Sequence, residues 1–156
     1  MTMLRATILL ITILVALPAF AGESADANLE VLRDTIRANK KALVAVNLTL
    51  TDGEAKGFWP LYDRYEGELK GVNDRLVTLI KDYTKNYATL TDEQAKKLAE
   101  DYLAVEEDRA KVRRTYFPEF TKVLPGKKAA RFYQIENKMD AVVRYDLASE
   151  IPVVEQ

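Results

Sequence analysis

The chain has 156 residues, with 23 Lys and Arg against 24 Asp and Glu, and it contains neither histidine nor cysteine. So balanced a charge argues against a nucleic-acid partner, whose binding is driven by basic side chains neutralising phosphates. The missing His and Cys exclude a Ser-His-Asp triad, a cysteine nucleophile, a disulfide, a zinc site of the usual type and an axial histidine for haem.

The N-terminus reads as a secretory signal peptide. Arg5 supplies a positive start, residues 6–17 are apolar apart from two threonines, and Ala19-Phe20-Ala21 is a small-x-small cleavage site. The apolar run is about 12 residues, short of the roughly 20 that span a bilayer. Cleavage after Ala21 therefore predicts an exported protein that does not span the membrane, with one domain over residues 22–156. Without cysteine, packing alone must hold that domain. The two serines, Ser24 and Ser149, both fall near expected helix ends and read as caps.

The first helix is expected over residues 27–47, with Leu29, Leu32, Ile36, Leu43 and Val46 turned inward. Next comes LTDGEAK from Leu50, which recurs as LTDEQAK from Leu90 with two of seven positions changed. Each copy is a capping box. Thr51 with Glu54, and Thr91 with Gln94, pair a hydroxyl that accepts from the third helical amide with a side chain that reaches back to the cap amide. Asp52 and Asp92 add negative charge at the positive end of each helix dipole.

Behind Thr51, Ala55, Phe58, Tyr62, Tyr65, Leu69, Val72, Leu76, Leu79, Tyr83 and Tyr87 follow steps of three and four, a coiled-coil-like spacing. One long helix is expected over about 52–87, some 54 Å at 1.5 Å per residue. A compact domain of this size has a radius of gyration of only about 14 Å, so an elongated molecule is expected. Pro60 predicts a kink or a broken start.

Behind Thr91, a third helix places Ala95, Leu98, Tyr102, Val105, Val112 and Tyr116 on one face, interrupted by Arg109. Arg109 reads as a snorkelling or ion-paired residue. Pro118 is expected to bend or break this helix. A weaker third copy of the phrase, LPGKKA from Leu124, opens a fourth helix over 125–149, with Phe132, Ile135, Met139, Val142 and Val143 inward. The fold class is all-α: an elongated antiparallel hairpin or four-helix arrangement with one long helix, kinked near Pro60 and Pro118.

The phrase LTDEQ at residues 90–94 matches the LTXXQ motif of the Spy and CpxP family of periplasmic chaperones, and LTDGE at 50–54 is the same motif with Glu for Gln. The chain resembles that family over roughly residues 26–150 and departs from it at the third copy and in GFWPLY. The resemblance marks Leu50, Thr51, Glu54, Leu90, Thr91 and Gln94 as its motif. It implies a long-helix hairpin, an antiparallel homodimer shaped like a curved cradle, and ATP-independent holding of unfolded envelope proteins during stress. It also implies, as an alternative, a regulator that binds the periplasmic domain of a sensor kinase without general chaperone activity. Some relatives bind heavy metals, a branch set aside here for want of His and Cys.

A thin helical unit has little interior in which to hide its rings. Trp59, Tyr65, Tyr116, Phe117, Phe120 and Tyr133, lying beside prolines or off the main stripe, are therefore the candidates for client contact. The competing reading is that each is ordinary core. No cofactor and no metal site are expected. There is no DxDxDG loop, and acids such as Glu106, Glu107 and Asp108 alternate with bases as on a solvated helix face. An enzyme is not expected, since acid-only catalysis would need two inward carboxylates with separated pKa values.

Overall fold

The computed structural model describes residues 39–154, and among them there are helices and no strand. Helix α1 covers residues 39–47 of the described chain. It is followed by α2 (Asp52–Asn86), a single 3-10 turn (Tyr87–Thr89), α3 (Asp92–Val123) and α4 (Gly126–Glu150). The signal-peptide reading of residues 1–21 and the helical expectation for 27–38 lie outside the described residues.

Both capping boxes form. The Thr51 amide donates to Glu54 Oε2 at 2.8 Å and the Glu54 amide to Thr51 Oγ1 at 3.3 Å. At α3 the Thr91 amide donates to Gln94 Oε1 at 2.9 Å and the Gln94 amide to Thr91 Oγ1 at 3.3 Å. Thr91→Ala should therefore lower stability by about 1 kcal/mol, read as a lower urea midpoint, while Thr91→Ser should retain most of it. The third copy works differently. Pro125 is itself the cap residue, offering no side-chain bond, and its carbonyl accepts from Lys128 and Ala129 at 2.8 and 3.0 Å.

Helix α2 holds 35 residues, about 52 Å of helix. It runs unbroken through Pro60, as α3 does through Pro118. Neither helix is broken at its proline. Both prolines are on exposed faces, so the carbonyls that lose a donor, those of Lys56 and Arg114, lie on the side where water can serve them.

Helix α3 lies antiparallel to α2, as Arg75 with Asp108 (2.6 Å) and Tyr116 Oη with Glu68 (2.7 Å) demonstrate. The two helices pack tightly at Gly57, where a Cβ would lie 3.0 Å from Val123 Cγ1. Helix α4 returns antiparallel to α3 and so runs alongside α2. Arg113 pairs with Asp140 at 3.3 Å and Arg144 with Glu106 at 2.5 Å across the first contact, and Lys128 pairs with Glu54 at 2.5 Å across the second. Tyr83 closes the far end by donating to the Pro152 carbonyl at 2.8 Å.

The core gathers where α1, the first half of α2, the second half of α3 and the start of α4 meet. Val44, Leu48, Phe58, Leu61, Tyr62, Tyr65, Leu69, Tyr116, Phe120, Leu124, Ala129 and Phe132 form one buried cluster. In the other half burial is thinner, with Val72, Tyr83 and Val105 the buried apolar side chains.

Five inward assignments are corrected by this distribution. In α1, Leu43 and Val46 face out, Val46 at 82% exposure, because Val44 and Leu48 take the seam. In α3, Tyr102 is exposed, and in α4 so are Val142 and Val143. Their helical spacing is right, but no element of the described unit covers that stretch. Arg109 is buried and ion-paired with Glu106 at 3.6 Å.

Candidate functional site

The six rings proposed for client contact converge on one place. Phe120 packs within 4.6–6.4 Å, centroid to centroid, of Phe58, Tyr65, Tyr116, Phe132 and Tyr133. Trp59 and Phe117 join at the edges, against Phe58 at 5.0 Å and Tyr133 at 5.5 Å. Most of these pairs are edge-to-face or tilted, the geometry in which one ring's positive rim meets the next ring's negative face.

Their exposure corrects the expectation that all six face a partner. Tyr65 and Phe120 are fully buried and Tyr116 nearly so, Trp59 and Tyr133 are half-buried, and only Phe117, at 46%, is exposed. Phe117 is next to Pro118 on the outer side of α3, whereas Tyr116 and Phe120 are four apart and share the inner side. Proximity to proline was a poor guide to exposure, since α3 continues through it. Of the motif residues, Leu50 packs against the core, Leu90 is half-buried, and the four polar residues work as caps.

The polar ends of the buried rings are mostly satisfied. Tyr116 Oη donates to Glu68 at 2.7 Å and Tyr133 Oη to the Arg113 carbonyl at 2.8 Å. Burial pushes the Tyr133 hydroxyl up to about 12 and holds those of Tyr65 and Tyr116 above their usual range. At the cap of α2, a hydrogen bond from Lys128 and then one from the Thr51 amide draw the Glu54 carboxyl below its usual range.

The unexpected feature is a buried charge cluster beside the rings. Glu136 is only 1% exposed, and its Oε2 is 2.7 Å from Lys40 Nζ, which also reaches Glu66 Oε1 at 2.7 Å. Tyr65 Oη makes a long 3.4 Å hydrogen bond to the same Oε2. The second oxygen, Oε1, is buried and has no hydrogen-bond partner among the described residues. Burial pushes the Glu136 carboxyl up to about 7, with the attraction of Lys40 offsetting only part of the lost hydration. The same two carboxylates hold Lys40 above its ordinary value despite its own burial. Sequence reasoning missed Glu136, although the signal was present: it follows Phe132 by four and precedes Met139 by three, on the apolar stripe itself.

Outside the core, a second apolar set faces outward. Leu103 and Tyr102 on α3, and Val142, Val143 and Tyr145 on α4, are exposed, Tyr145 at 77%. The Arg144–Glu106 pair ties the two helices together at this level. An open groove between α2 and α3, lined by Glu68, Val72, Arg75, Asp108 and Lys111, is spanned by the Arg75–Asp108 pair. Among the described residues no three His, Cys, Asp or Glu side chains stand together as a metal-binding group. No described helix is long and apolar enough to cross a membrane. No known family profile, curated protein or solved structure matches the chain.

Proposed function

We propose that the chain is an exported, ATP-independent binding protein that holds non-native envelope proteins on an amphipathic helical surface, in the manner of the Spy and CpxP family that its repeated phrase resembles. On this reading it is cleaved after Ala21, acts in the periplasm, works as a homodimer and performs no catalysis. The observation that carries the reading is the outward apolar set on α3 and α4, Tyr102, Leu103, Phe117, Val142, Val143 and Tyr145, on a unit whose interior is already filled with rings. Side chains of this kind cannot be absorbed by the described unit and are available to a partner's apolar segments. Tyrosine suits such half-wet contacts, with an apolar ring and a polar tip. The two matching helix starts, both capped as the motif demands, are a second support.

The proposal revises which side chains would do the holding. Phe117 stays in the client surface, Trp59 and Tyr133 border it, and Tyr65, Tyr116 and Phe120 pass to the core. Light scattering from a heat-stressed client tests the function. Stoichiometric mature protein should suppress the rise, and an unchanged rise defeats the reading. Cross-linking in intact envelopes separates the regulator alternative, since a holding protein should return many partners and a regulator of a sensor kinase one dominant one.

A further inference from the structure

Among the described residues, helix α1 is fastened to the rest of the unit by the following ties. Its apolar contribution is Val44, joined by Leu48 just past its end, both in the ring cluster. Its polar ties are Lys41 to Asp63 (2.5 Å) and over the Trp59 ring (5.4 Å), Arg131 Nε to the Asn47 carbonyl (2.7 Å), and Lys40 to Glu66 and Glu136. Exposed pairs such as Lys41–Asp63 contribute little, because water screens them. The Lys40 cluster is different, since Glu136 is enclosed and Lys40 and Glu66 are largely covered.

Every packed element presents a titratable or charged group to Glu136. Lys40 comes from α1, and Tyr65 and Glu66 come from α2. Arg113 comes from α3 but is engaged by Asp140, which with Tyr133 comes from α4. One ammonium thus serves two carboxylates, and one oxygen of the deeper carboxylate has no donor among the described residues.

We propose that Lys40, Glu66 and Glu136 form a pH-sensitive clasp: protonation of Glu136 fastens α1 to the face between α2 and α4, and its ionisation loosens α1 and uncovers the rings beneath Val44 and Leu48. With Glu136 protonated, Lys40 is matched by Glu66 alone, and a neutral carboxyl lies in the interior. With Glu136 ionised, the docked site encloses an excess negative charge away from water, a state that lifting α1 relieves by hydrating the carboxylate. The raised pKa of the docked carboxyl sets the direction. Docking takes up a proton between the ordinary value of 4.5 and about 7, so it is tightest below the lower figure and weakens as pH rises through the upper one. A difference of that size changes the docking equilibrium on the order of 10- to 100-fold between about pH 5 and pH 8.

Hydrogen exchange of the mature protein, corrected for intrinsic rates, reads the clasp directly, and Trp59, the single tryptophan, reports it by fluorescence. Protection over residues 39–48 should fall on the order of 10- to 100-fold from about pH 5 to pH 8 while that of the α2–α3 pair holds. Glu136→Gln should abolish the pH dependence. Glu66→Gln, which removes a like charge, should move the loosening to lower pH, and it serves if the first variant folds poorly. Protection of α1 that ignores pH, or that keeps the wild-type profile in both variants, overturns the clasp. The consequence for clients rests on the reading given above and is tested apart. If α1 loosens at high pH and client holding does not change with it, the clasp stands and the uncovered rings are not a client surface.

Discussion

Phe120→Ala should cost about 3–5 kcal/mol, the range for deleting a fully enclosed phenylalanine, where lost transfer energy and the remaining cavity add. Phe120 is 0% exposed and touches five other rings drawn from α2, α3 and α4. Neighbours from three helices cannot collapse into the gap without moving the helices themselves, which places the expected loss at the upper part of that range. Since a domain of this size has only about 5–15 kcal/mol to lose, the urea midpoint should fall steeply, with the slope preserved. Phe117→Ala is the contrast. Its half-exposed ring should change stability by less than about 1 kcal/mol, and on the proposed function it should weaken client holding instead. A Phe120→Ala protein as stable as the parent would show that the ring cluster is not the structural centre.

Lys40→Met should be as damaging, and in a pH-dependent way. Removing one member of a buried ionic group leaves the other charges uncompensated, at a cost of about 3–5 kcal/mol. Here the charges left behind are two carboxylates, Glu66 and Glu136, that shared the ammonium at 2.7 Å each. Without Lys40, the groups that lowered Glu136 are lost while burial and Glu66 still raise it, so its carboxyl must rise above about 7. A carboxyl raised in the folded state contributes most below its unfolded value and loses that contribution as pH increases. The penalty should therefore be largest near pH 8 and shrink toward pH 5, where Glu136 is protonated in both proteins. Denaturation at the two pH values measures this, and an equal loss at both would mean that Glu136 does not titrate in the folded protein.

Several elements could be read without coordinates because their causes are local. Thr51, Glu54, Thr91 and Gln94 sit within three residues of one another in pairs, and a capping box requires only that spacing. The long run of apolar steps behind Thr51 likewise marks α2 to within a residue of its observed end. Where the reading erred, the deciding neighbour was distant in sequence. Tyr65, Tyr116 and Phe120 looked available because they stood near prolines or off a stripe, yet each is covered by another helix. Val142 and Val143 had good inward spacing, yet nothing in the described unit lies over them.

The amino-acid sequence by itself determined that the described unit is helical, where α2, α3 and α4 begin, and which chemistries are unavailable to it, since caps, periodicity and composition act through a few neighbouring residues or none. The tertiary structure decided which rings are interior, and it brought Lys40, Glu66 and Glu136 together from three helices. Burial and the titration of an enclosed carboxyl depend on how much water the surrounding elements exclude, and that is a property of helices packed together rather than of any one segment.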